Sequence, residues 1–146
     1  MKASDKASRS TAAKKATVRS KPSTVQPPPP AVKLYHYQAK VISVHDGDTC
    51  TVDIDLGLTT WKHGEVVRLA RVNAPELTGK SARTGARSRD HLRSLIEGRK
   101  ILLATIRDRR EKYGRYLGEV WVDVDGKLVN VNDAMVTAGH AEYKQY

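Results

Sequence analysis

Arg68-Leu69-Ala70-Arg71-Val72-Asn73-Ala74-Pro75-Glu76 decides how the rest of the chain is read. Val66, Val67, Leu69 and Val72 predict a strand running into it from about Glu65 to Val72. Pro75 cannot donate to a ladder and holds Ala74 extended, so the strand stops there and its neighbours are fixed in direction. Those neighbours are a guanidinium (Arg68), an amide oxygen (Asn73) and a carboxylate (Glu76). Together they could hold a phosphate, a hard cation and a water. Alone, the same residues also read as an ordinary strand running into a turn.

Working back from this stretch, Tyr35 to Val44 predicts a strand, with Tyr35, Tyr37, Ala39 and Val41 at period two. His45-Asp46-Gly47-Asp48 is a turn, because Asp-Gly is a strong short hairpin signal. Thr49 to Leu56 is the next strand, with Val52, Ile54 and Leu56 facing a core. Gly57 to Gly64 is expected to be a loop, and three successive antiparallel strands make a meander.

Working forward, Glu76 to Arg83 reads as a loop and Thr84 to Glu97 as a helix. Ala86, His91 or Leu92, Leu95 and Ile96 mark its buried face, and Gly98 stops it. Arg99 to Arg107 is a buried strand, Asp108 to Gly114 a charged connection and Tyr116 to Val124 a strand ending at the Asp125-Gly126 turn. Lys127 to Val131 stays extended, and Asn132 caps a short helix, Asp133 to Ala138. This order predicts an α+β, mainly β, fold: a closed five-stranded oligonucleotide/oligosaccharide-binding (OB) barrel with two helices, since closure removes sheet edges.

The 146 residues suffice for one cored domain, and the formal charge of +10 is unevenly spread. Residues 1–33 hold eight Lys or Arg and one Asp, so they carry +7, and the remainder carries +3. Residues 1–33 are expected to be a disordered basic tail with a polyproline spacer at Pro27 to Pro30, and residues 34–146 the folded domain. Such a tail either attracts nucleic-acid phosphates or simply solubilises. A transit peptide fits it less well, given Asp5 and the prolines.

One cysteine, Cys50, excludes an intrachain disulfide framework and a multi-cysteine zinc site, and it reads as a small strand residue. No apolar run is long enough to cross a membrane, and no secretory signal core is present, so an intracellular location is expected. The five histidines lack zinc-ligand spacing. Asp46 and Asp48 resemble the start of a calcium loop, but Gly57 stands where its closing Glu belongs, which excludes a helix-loop-helix site. Asp46 reads as a turn residue bonding its backbone. Asp48 fits a metal ligand or a turn residue equally.

Asp46-Gly47-Asp48-Thr49, then Arg68-Leu69 to Asn73-Ala74-Pro75-Glu76, then Lys112-Tyr113-Gly114-Arg115 resemble the staphylococcal nuclease family, in its order and spacing. Asp125-Gly126-Lys127 and Met135 to Gly139 resemble that family's last turn and second helix. The resemblance covers about Gln38 to Tyr143. It implies an OB barrel and calcium-dependent, sugar-nonspecific hydrolysis of DNA and RNA that leaves 3′-phosphates. It implies Ca2+ held by Asp48, by the Asn73 amide oxygen and by the Ala74 carbonyl. Glu76 would position or deprotonate the attacking water, Arg68 and Arg115 would hold the scissile phosphate, and Lys112 and Tyr113 would touch neighbouring phosphates. The partner would be DNA or RNA, preferably single-stranded, and the protein a monomer.

Two departures stand out. Type members of the family have an aspartate where this chain has Asn73, which keeps an oxygen but removes a charge. They also continue into a further helix where this sequence stops at Tyr146, leaving Tyr143 and Tyr146 as candidates for base stacking. The alternative functions are a catalytically silent OB-fold nucleic-acid-binding module or a scaffold part of a larger assembly.

Overall fold

The computed structural model describes residues 35–110 and 112–145, apart from the side chains of 107–110. The expected tail, residue 34 and Tyr146 lie outside the described residues. Strands β1 (His36–Asp46), β2 (Thr49–Gly57) and β3 (Thr60–Leu69) form the meander, each antiparallel to the one before. After the two-residue β4 (Val72–Asn73) and a 3-10 turn (Gly79–Ser81) comes helix α1 (Ala82–Ile96). β5 (Lys100–Arg110) then pairs with β1, and β6 (Tyr116–Val124) pairs antiparallel with β5 and parallel with β3. That last pairing closes β1, β2, β3, β5 and β6 into the five-stranded OB barrel. β7 (Lys127–Asn130) extends β6 as a hairpin, α2 (Val131–Thr137) follows, and β8 (Glu142–Tyr143) pairs with β4.

Val41, Val52, Val67, Leu69, Leu103, Val120 and Val122 are fully or almost fully buried inside the barrel, and Leu92 and Ile96 of α1 join the same core. α1 is anchored to β1 by polar contacts as well: the Val44 amide donates to Glu97 Oε2 (3.0 Å), and Arg93 Nη2 donates to the Val44 carbonyl (3.2 Å). Cys50 is buried, and burial together with nearby Asp46 pushes its thiol up to about 12, which leaves it inert. No described helix is long and apolar enough to cross a membrane.

Several expectations need correction. The loop from Gly57 to Gly64 is instead a tight turn at Leu58-Thr59, with both residues left-handed (φ 55° and 58°). Leu56, expected in the core, lies half exposed beside that turn. The third strand stops at Leu69 rather than Val72, because Arg71 is left-handed (φ 67°) and the chain must restart as β4. β5 continues through the charged residues to Arg110, where it still registers with Tyr116. On α1 the buried face includes Gly85 and Ser88 rather than Ala86.

The cap of α2 is Asn130, whose side chain accepts from the Asp133 amide (2.9 Å). Asn132 is fully buried instead. Its Nδ2 donates to the carbonyls of Ala70 (2.8 Å) and Gly118 (3.0 Å), and its Oδ1 accepts from the Val120 amide (3.0 Å). One amide thus ties α2 to the end of β3 and to β6.

Candidate active site

The Gly47-Asp48 turn brings β1 and β2 against the segment after β4. A Cβ on Gly47 would lie 2.6 Å from the Cβ atoms of both Ala74 and Ser88, so only glycine permits this approach. Asp46 behaves as the expected turn residue, its Oδ1 accepting from the Asp48 amide (3.0 Å). The Asp48 carbonyl accepts from the Leu69 amide (2.8 Å), which locks the turn to the end of β3.

The Asp48 carboxylate is buried, and both of its oxygens have partners. Oδ2 accepts from the Ala74 amide (2.8 Å) and faces Arg68 Nη2 (3.2 Å), while Oδ1 accepts from Thr49 Oγ1 (3.1 Å). Burial raises its pKa above the ordinary aspartate value, and so does Asp46. The Ala74 amide and Arg68 oppose that shift only in part.

Arg68 is also buried, at 7% exposure, so its guanidinium does not stand free in an open cleft. Nη1 donates to the carbonyls of Leu69 (3.0 Å) and Val72 (2.9 Å), and Nη2 donates to Asn73 Oδ1 (3.0 Å) as well as facing Asp48. One guanidinium therefore gathers Asp48 and Asn73, two of the three expected oxygen donors, and the Ala74 amide closes on the same carboxylate. This bidentate spread is what a planar fork of donors achieves and an ammonium does not.

Arg115 approaches from the start of β6, its Nη1 3.5 Å from Thr49 Oγ1. Its guanidinium carbon lies 5.2 Å from the Tyr113 ring centroid, and Lys112 Nζ lies 4.9 Å from the same ring. Tyr113 is 70% exposed, so the two cations and the ring present one accessible surface. Glu76 is exposed, and its carboxylate makes no hydrogen bond or ion pair among the described residues. Its backbone is fixed from beneath: a Cβ on Gly85 would lie 2.2 Å from the Glu76 carbonyl oxygen, which also accepts from Ser81 Oγ (3.1 Å).

Asp48, Arg68, Asn73 and Ala74 thus meet directly. Arg115 joins them through Thr49, with Tyr113 and Lys112 beside it, and Glu76 follows two residues after Ala74. In the sequence Thr49 stands out only as the end of the Asp46-Gly47-Asp48-Thr49 motif and carries no role, since a hydroxyl beside an acid in a strand has no distinctive spacing. Among the described residues, no group of three or more His, Cys, Asp or Glu could hold a metal. A cation here would depend on a mixed set of carboxylate, amide and carbonyl oxygens, and those donors fit a hard ion such as calcium.

A groove of about 610 Å³ is lined by Ala70, Arg71, Ile106, Leu117 and Tyr143 among others and shares no residue with the Asp48 cluster. Its wall is a closed network. Arg71 is bidentate to Glu119 and donates to Asp133 (3.0 Å), which also accepts from the Tyr143 hydroxyl (2.9 Å). The Glu119 contact, partly offset by burial and helped by Asp133, raises the Arg71 pKa further. The convergent oxygen donors lie at Asp48 and not in this groove.

The sequence profile of the staphylococcal nuclease homologues matches residues 66–146, more than half of the chain. That span includes Arg68, Asn73, Ala74, Glu76, Lys112, Tyr113 and Arg115, and it begins after Asp48. An uncharacterized protein of Methanocaldococcus jannaschii is 24% identical over 127 residues, which is 73% of this chain and 58% of that protein. The protein ParB of Escherichia coli is 34% identical over 111 residues, 71% of this chain and 55% of ParB. The chain spans somewhat more than half the length of each of these curated relatives.

Proposed function

This chain belongs to the staphylococcal nuclease homologue family, and from that premise we propose that it is a calcium-dependent nuclease that hydrolyses DNA and RNA phosphodiesters to leave 3′-phosphates. The observation that carries the reading is the convergence of Asp48 and Asn73 on Arg68, with the Ala74 amide on the same Asp48 carboxylate and Arg115 reached through Thr49.

In this reading Asp48, Asn73 and the Ala74 carbonyl would hold a calcium ion, which when bound would supply charge stabilisation at the phosphate. The chain's own residues do the rest. Glu76, exposed and unengaged, orients the attacking water and takes its proton. Water adds to phosphorus as the bond to the 5′ oxygen breaks, and the departing oxygen takes up a proton from solvent, giving a 3′-phosphate and a 5′-hydroxyl. Arg115 and Arg68 offset the negative charge that builds on the phosphate oxygens, as positioned cations do in phosphoryl transfer. Lys112 and Tyr113 face neighbouring phosphates, and the groove beside Tyr143 offers an aromatic wall to a base.

The test is incubation with single-stranded DNA in calcium, magnesium or chelator, followed by analysis of the ends. Calcium-dependent fragments with 3′-phosphates are expected, and their loss on Glu76→Gln or Arg115→Ala. Intact DNA in every metal would overturn the reading in favour of a catalytically silent nucleic-acid-binding barrel. One observation favours that second reading: Arg68 already engages Asp48 and Asn73, and Asn73 lacks the charge with which a cation would compete for the pair.

A further inference from the structure

The outer face of α1 carries its cations unevenly. In the C-terminal half they are paired: Arg89 Nε lies 3.1 Å from Asp90, and Arg93 lies 3.8 Å from both Asp90 and Glu97. In the N-terminal half Arg83 and Arg87 are exposed and four residues apart, which puts them on one helix face, and Lys80 is exposed in the turn just before. Among the described residues none of these three has an ion-pair partner.

This placement works against the helix. Cations in the first turns oppose the helix dipole, and like charges at i and i+4 repel. The first turn of α1 holds no acid that would relieve them. A face that only needed water would be better served by Glu or Gln. Local rules are broken where some other task sets the residue type.

The opposite face of the helix shows where these cations stand. Gly85 lies between Arg83 and Arg87 in sequence but on the far side of the helix, where it packs against the backbone of Pro75 and Glu76. One helix width, roughly 10 Å, therefore separates Arg83 and Arg87 from the segment that bears Glu76, and Lys80 stands in the turn between that segment and the helix. The neighbouring outward positions are Thr84, Asp90 and Ser94, all exposed. That face lacks the apolar residues with which a membrane-surface helix inserts. The complementary partner is a polyanion without apolar depth, which is a nucleic-acid backbone.

We infer that Lys80, Arg83 and Arg87 form a docking track for the phosphates of a nucleic-acid strand that continues past the Glu76 segment. The track deepens the function proposed above and rests on it for the path of the strand, but phosphate contact at the track needs no catalysis.

The test is binding of the full chain to a single-stranded oligonucleotide of about twelve residues, in chelator, across a salt series. Each phosphate contact contributes roughly 0.7 to the slope of log affinity against log salt. The Arg83→Gln/Arg87→Gln protein should therefore lose about 1.4 of slope, so that over a fourfold rise in salt its affinity falls about sevenfold less than that of the unmodified chain. A dinucleotide, too short to reach the track, should bind both proteins equally, and Arg89→Gln, whose arginine is ion-paired, should leave the slope nearly unchanged. Removing the like-charge pair should not lower the melting temperature, so misfolding does not confound the result. An unchanged slope for the double variant, or an equal loss in Arg89→Gln, overturns the track. Neither outcome depends on cleavage, so the track and the nuclease reading fail separately.

Discussion

Replacing Asn132 by Ala removes three buried hydrogen bonds at once. The Val120 amide loses its acceptor, and a buried donor left without one costs about 1–3 kcal/mol. The Ala70 carbonyl loses its donor at a similar cost, about 1–2 kcal/mol. The Gly118 carbonyl still accepts from the Ala70 amide (2.9 Å), so its loss is minor. The sum is about 2–5 kcal/mol out of the roughly 5–15 kcal/mol that holds a typical domain together. In urea this should lower the midpoint by about 2 M, followed through tryptophan fluorescence. Asn132→Asp keeps the acceptor but sets a carboxyl against two carbonyl oxygens. It is tolerated only when protonated, so its deficit should deepen as pH rises. A loss below about 1 kcal/mol in Asn132→Ala, with the native fold retained, would refute the reasoning.

Other expectations follow from single contacts. Gly85→Ala drives a Cβ into the Glu76 and Pro75 carbonyls, which are backbone and cannot swing aside. It should cost about 1–3 kcal/mol in chemical denaturation and reduce DNA cleavage as Glu76 is displaced. His91 stacks on His140 at 4.5 Å, and burial followed by the neighbouring imidazole lowers its pKa. The folded state therefore binds this proton less readily than the unfolded chain. Its stability contribution is present above the unfolded value of about 6.5 and is lost as pH falls through the lower folded value. Urea midpoints of His91→Gln should fall less than those of the unmodified chain across that window, and parallel curves would exclude the effect. Asn73→Asp adds a carboxylate beside Asp48 and should tighten calcium binding by roughly tenfold in calorimetry. Unchanged affinity would mean that position 73 does not contact the ion.

The meander and its first turn were legible because period-two alternation and Asp-Gly are local signals. The same local logic missed Leu58-Thr59, where residues with side chains adopt the left-handed turn that glycine or asparagine usually supplies. It also missed β4 and β8, since two-residue strands have no periodicity and exist only through each other. Asn132 looked like a cap because Asn favours caps. Its actual partners lie up to 62 residues away, beyond any local pattern. At the candidate site the residue types were legible in the sequence, and the family resemblance supplied their roles. The burial of Arg68 was not, because a strand arginine reads as solvated until the carbonyls of Leu69 and Val72 are known to turn towards it.

The pairing of β4 with β8 also bears on how the protein is made. Asn73 registers with Glu142, Val72 with Tyr143, and the Lys144 amide donates to the Arg71 carbonyl (2.7 Å). The segment that carries Asn73 and Ala74 is therefore clamped by residues synthesised much later than it is, after all the barrel strands. While the barrel strands are still being synthesised, the oxygen cluster around Asp48 lacks this support. A nascent chain would then present a closing barrel before it presents an ordered site, and any nuclease activity would arise only once Glu142 and Tyr143 have been made and paired with β4.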